Sequence, residues 1–137
     1  MKKIILIFSF AFLSTFIYAQ VDTQNGSQHL RVGANFFKDN TNIKVVYNHG
    51  LSEMFSVGAG VYVLNNSYGF IRGDFYLDSV VPLPENLNIF GGLEIGIIGI
   101  DFLDIEPQLG IAYSISNNID LFLEVGNTGT IGLSFKF

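Results

Sequence analysis

From Gln28 to Phe137, apolar side chains return at every second position, in stretches separated by turn-forming clusters. A period of two places neighbours on opposite faces of a strand, and no stretch carries the 3.6-residue stripe of an amphipathic helix. Leu30, Val32, Ala34 and Phe36 oppose His29, Arg31, Gly33 and Asn35 in the first stretch. The sixth sets Leu103, Ile105, Leu109, Ile111, Tyr113 and Ile115 against Asp104, Glu106, Gln108, Gly110, Ala112 and Ser114. Turns are predicted at Lys38–Asn42, around Gly50, and at Asn65–Ser67, Pro82–Asn86, Ser116–Asn118 and Asn127–Gly129. Proline removes a ladder donor, so the Pro82–Asn86 break is a connection and not a strand. The strand count is eight.

An even number of strands joined in sequence as hairpins is the arithmetic of an up-and-down antiparallel barrel. Strands of roughly 9 to 12 residues also match a tilted membrane-crossing strand. Alternation alone does not separate a membrane barrel from a soluble one; the nature of the two faces does. One face is aliphatic. The other carries Gly, Ser, Asn and scattered charge, as the inside of a narrow barrel should. A soluble barrel would turn the aliphatic face inward and cover itself with Lys and Glu, but only 14% of the chain is charged. The expected fold is all-β: an eight-stranded up-and-down antiparallel transmembrane β-barrel.

The N-terminus predicts a cleavable signal peptide over residues 1–19, with the barrel domain over 20–137. Lys2 and Lys3 form a basic start, Ile4 to Phe12 an apolar run, and Ser14, Thr15 and Ala19 the small residues before Gln20. The apolar run falls short of the roughly 20 residues that a spanning helix needs. Removing Lys2 and Lys3 lowers the seven basic residues to five against 12 acidic ones. That charge argues against nucleic acid, whose phosphates need a basic face. With no cysteine in the chain, a lipoprotein anchor and a disulfide scaffold are both excluded. No later apolar run approaches a spanning helix, so contact with a membrane must be made by strands.

The last stretch, GTIGLSFKF, sets Ile131, Leu133, Phe135 and Phe137 on one face and Gly132, Ser134 and Lys136 on the other. An export signal followed by hairpins and a Phe-terminated last strand resembles the small outer-membrane β-barrel proteins of double-membraned bacteria, the OmpA/OmpX-like class. Asn48 to Gly60 and Tyr113 to Leu121 look like hairpins of that class. The resemblance implies an outer-membrane location, outer-membrane lipids as surroundings, and a monomer. It also implies recognition by the barrel assembly machinery through the strand ending at Phe137. With the N-terminus in the periplasm, the Pro82–Asn86 connection would be periplasmic, where the class prefers tight turns.

Chemistry-bearing residues are few. The inward set holds Arg31, Lys44, Arg72 and Lys136 beside Asp74, Glu94, Asp104, Glu106, Asp120 and Glu124. Charges enclosed by a barrel must pair or be wetted, so the expectation is a structural network. Arg72 and Lys136 are expected to be held by carboxylates such as Glu94 and Glu124. His29 and His49 lie on different strands without companions at ligand spacing, which argues against a metal site. His49 and Glu53 flank a turn near Ser52 and Ser56, the composition a lipid-modifying enzyme would use, but polar turn residues give such adjacency by chance. Gly58/Gly60 and Gly91/Gly92 precede no helix and so are not phosphate cradles. No catalytic, cofactor-binding or metal-binding residue is therefore assigned. The function expected is a non-enzymatic integral barrel with a structural or interaction role and no wide pore. The alternatives are a soluble periplasmic β-barrel that binds an apolar ligand and a lipid-modifying outer-membrane enzyme.

Overall fold

The computed structural model describes residues 26–37, 40–65, 67–78, 80–99 and 104–137; the expected signal peptide lies outside them. Eight strands follow in order: β1 (Gln28–Phe37), β2 (Asn40–Gly50), β3 (Phe55–Leu64), β4 (Tyr68–Tyr76), β5 (Leu87–Ile98), β6 (Ile105–Ser116), β7 (Ile119–Gly126) and β8 (Gly129–Lys136). Each pairs antiparallel with the next, and β8 returns to β1 from His29↔Lys136 to Phe36↔Gly129. The sheet is therefore a closed barrel without an edge, which satisfies the backbone groups that an open sheet would leave unpaired.

Two ends follow from this topology. One carries the start of β1 and the end of β8, with the β2–β3, β4–β5 and β6–β7 connections. The opposite end carries the β1–β2, β3–β4, β5–β6 and β7–β8 connections. The connection after β4 is folded by its own hydrogen bonds: Val80 N and Val81 N donate to Leu77 O, and Leu87 N donates to Pro84 O. Between β2 and β3, Ser52 Oγ accepts from Met54 N and Phe55 N and so holds the turn.

Two local expectations are revised. Of the predicted Lys38–Asn42 turn, residues 38 and 39 lie outside the described residues and the other three belong to β2, which begins at Asn40; Asn42 is already buried in the lumen. Asn and Thr at these positions read as turn formers, but the pairing of Phe37 with Asn40 continues the ladder. Asp104 precedes β6 and is not a strand residue. The ladder also slips once in β4–β5 and once in β6–β7, the irregularities that relieve a tightly curved sheet.

Burial is inverted relative to a soluble domain. Among the described residues 17 polar or charged side chains are buried against five hydrophobic ones, so the interior is polar. Valines, isoleucines and leucines stand exposed on the outside of every strand from β1 to β8, for example Val32, Ile43, Val61, Ile71, Leu93, Leu109, Leu123 and Leu133. Arg31, Lys44, Arg72, Asp74, Glu94, Glu106, Asp120 and Glu124 all point inward, on the predicted face.

Candidate functional site

The middle of the lumen is an ion-pair network drawn from five strands. Arg72 on β4 donates from Nε and Nη2 to Asp74 Oδ1 (2.9 and 2.6 Å) and from Nη1 to Glu94 Oε1 (2.9 Å) and Glu124 Oε2 (2.8 Å). Lys44 on β2 pairs with the same two glutamates, contacting Glu94 closely and Glu124 at 3.2 Å. Arg31 on β1 reaches Asp74 Oδ2 at 3.1 Å and donates to Tyr76 Oη at 3.0 Å. Asn48 donates to Asp74 Oδ2 at 2.5 Å, and Tyr62 donates to Glu94 Oε2 at 2.8 Å. Three cations thus face three carboxylates. Each charge has lost its water (Arg72 is 4% exposed) and has regained hydrogen bonds from the opposite sign.

Aromatic rings bracket this network. Toward the end away from the termini, Tyr62, Phe70 and Val46 form a buried cluster with Tyr68 packed against it. Toward the termini, Phe90 carries the Arg31 guanidinium over its face at 4.2 Å, and Tyr76 lies against the same ring. Glycines opposite the rings make room for them. Gly60 pairs with Phe70, and Gly110 pairs with Phe90; a Cβ at either glycine would clash with the tip of the ring. Face composition predicted a lumen of small and polar residues. Strand alternation put Tyr62, Tyr76, Phe90 and Phe122 on this same face, but it does not say what stands opposite each ring.

Each predicted site residue has a definite place. Arg72 is held by Asp74, Glu94 and Glu124, as expected. Lys136 is held by another of the inward carboxylates: it pairs with Asp120 at 2.8 Å, at the terminus end, where Ser114 Oγ donates to the same carboxylate. β8 neighbours β7, and Lys136 lies beyond Ser134, which faces Asp120, while Glu124 faces Thr130 further along. The Ser52, Ser56, His49 and Glu53 grouping does not converge on one site. Ser52 holds its own turn, Ser56 is buried in the lumen against Tyr76 Oη at 3.2 Å, and His49 alternates to the outer face. His29 takes the inward row of β1, opposite in facing to His49. Among the described residues no group of three or more His, Asp or Glu is arranged to hold a metal ion.

The end away from the termini opens into a cavity of about 360 Å³. Asn35, Asn42, Tyr62, Tyr68, Asp104 and Glu106 are among its lining residues.

Two solved membrane barrels share this architecture. A chain from work on the de novo design of transmembrane β-barrels superposes with a TM-score of 0.67 at 19% identity, over 85% of this chain and all of that one. The fold is that of the small eight-stranded transmembrane β-barrels. The N-terminal β-barrel domain of Pseudomonas aeruginosa OprF gives a TM-score of 0.52 at 13% identity, again over 85% of this chain and all of that one. No protein-family model and no curated protein matches the sequence.

Proposed function

We propose that this chain is an integral β-barrel of the bacterial outer membrane with a structural or interaction role, without catalysis and without a wide pore. The observation that carries the reading is the inverted polarity of a closed barrel. Its exterior is a continuous apolar belt, which water would penalise and lipid would not. The middle of its interior is a network of three cations and three carboxylates drawn from five strands, which closes the lumen there. The proposed route begins with export and cleavage after Ala19, which would leave Gln20 as the first residue. Assembly would follow through the last strand, where Phe137 N donates to Gln28 O and helps to fasten β8 to β1.

The test is extraction and gel migration of the native protein. Envelopes washed with carbonate or high salt should retain the chain until detergent is added. Unboiled protein should migrate apart from boiled protein, because a closed ladder resists detergent unfolding. Deleting Phe137 should leave exported protein degraded or aggregated in cells while still permitting refolding in micelles. Release by carbonate, together with identical boiled and unboiled migration, would transfer the chain to the soluble periplasmic class.

A further inference from the structure

Aromatic side chains are spread unevenly over the outer wall. Tyr47, Phe55, Phe75, Tyr113, Phe135 and Phe137 take the outward rows at the terminus end, each within three residues of the end of its strand. Among the described residues, Phe36 alone stands in such a place at the opposite end. The outward positions near the strand ends there are aliphatic instead: Ile43, Val63, Ile97, Ile105 and Val125, all exposed. At the terminus end the rings form a collar. Phe55 and Phe75 face each other across β3 and β4 with ring centroids 5.1 Å apart, and Tyr113 stands beside Leu87 at the start of β5. Beyond the collar, the β4–β5 connection presents Val80 and Val81, both exposed, between the exposed Asp78 and Glu85.

Aliphatic and aromatic side chains both avoid water, but they rest at different places in a bilayer. Isoleucine and valine gain by entering the hydrocarbon and prefer no particular depth within it. An aromatic ring, with a polar tip when it is tyrosine, settles at the boundary between hydrocarbon and headgroups, so displacement either way costs free energy. Transmembrane barrels commonly carry such rings at both boundaries; the described residues here carry a collar at one. We propose that the collar docks on the headgroup boundary of one leaflet and fixes the depth of the barrel there. The aliphatic end has no such fix, so a change in bilayer thickness is taken up at the end away from the termini. The inference rests on the membrane reading and adds to it which end of the barrel the lipid holds.

The chain has no cysteine, so one introduced thiol carries a nitroxide without background labelling. Leu87→Cys and Ile97→Cys place it on the outward row of β5, beside Tyr113 in the collar and at the opposite end respectively. The mature protein would be reconstituted in vesicles of dilauroyl, dimyristoyl and dioleoyl phosphatidylcholine. Depth is read from the accessibility of the nitroxide to oxygen against a water-soluble nickel chelate. Position 87 should keep one depth in all three lipids, while position 97 should move deeper as the acyl chains lengthen. Equal movement at both positions, no movement at either, or movement at 87 alone would each overturn the proposal. Phe55→Leu, Phe75→Leu and Tyr113→Leu together keep the wall apolar, so the barrel still folds, but position 87 should then move with thickness. If it stays fixed without the collar, the collar is not what fixes it and the proposal falls. Should the triple variant fold poorly, Tyr113→Leu alone carries the same comparison. A chain that does not enter vesicles sinks the membrane reading as well, whereas one that enters and moves alike at both ends sinks only the collar.

Discussion

Leu109 and Gln108 are neighbours on β6, yet one is 55% exposed on the outer wall and the other 5% exposed in the lumen. The same contrast runs through all eight strands. Outside, side chains are apolar, make few specific contacts and are interchangeable so long as they remain apolar. Inside, the large and charged side chains of the middle are matched to particular partners: Arg72 to three carboxylates, Phe70 to Gly60, Phe90 to Gly110. Outer-wall residues obey a solvent rule, and inner residues obey a jigsaw rule. A substitution should therefore fail outside for its polarity and inside for its lost partner or its volume.

The largest test of this contrast is the centre of the network. Arg72→Met leaves Asp74, Glu94 and Glu124 with Lys44 and Arg31 alone, and breaking such a buried pair costs about 3–5 kcal/mol, less where water enters the lumen. Urea titration of refolded protein should show that loss, and adding Glu124→Gln should restore part of it. Strictly additive losses in the double-mutant cycle would mean that the pairing carries no energy.

Next in size is the neighbouring pair on β6. Leu109→Arg should cost about 2–4 kcal/mol if the position lies near the bilayer midplane. Gln108→Arg should cost clearly less, because Glu106 stands beside it to receive the charge. Folding yields measured side by side in lipid vesicles read the difference; equal yields would erase the distinction between the two faces.

Glycine separates the walls by volume instead of polarity. A Cβ at Gly60 would clash with the tip of the Phe70 ring and press on Val45 O at 2.7 Å, whereas one at Gly91 meets nothing within 4 Å. Gly60→Val should lose about 1–3 kcal/mol by overpacking. Gly91→Val should be neutral or gain up to about 1 kcal/mol, since glycine is a poor strand former. Denaturant midpoints of the two variants give the comparison directly, and equal losses would refute it.

The smallest effect belongs to the rim. The Lys136 side chain is one-third exposed beside Asp120, so solvent screens the pair and Lys136→Met should cost only about 0–1 kcal/mol. A loss as large as that of Arg72→Met would show the terminus end to be as dry as the middle.

Alternation alone was enough to read the strands, their inward rows and their even number from the sequence, because a period of two is a local property of adjacent residues. It placed Arg31, Lys44, Arg72, Asp74, Glu94, Glu106, Asp120 and Glu124 on one face without knowledge of any contact. It went wrong where local chemistry and long-range pairing disagree: Asn40 and Asn42 look like turn residues but are held in β2 by ladder partners on β1 and β3. Which charges meet was decided only by the closed sheet. Lys44 and Glu124 are 80 residues apart and touch because β2 and β7 face each other across the lumen, and Lys136 finds Asp120 because of the β7–β8 register. The glycine seats for Phe70 and Phe90, and the acidic cavity at one end, are of the same kind. Each depends on the stagger between strands, a global quantity fixed by closing the barrel, which no single strand carries in its own residues.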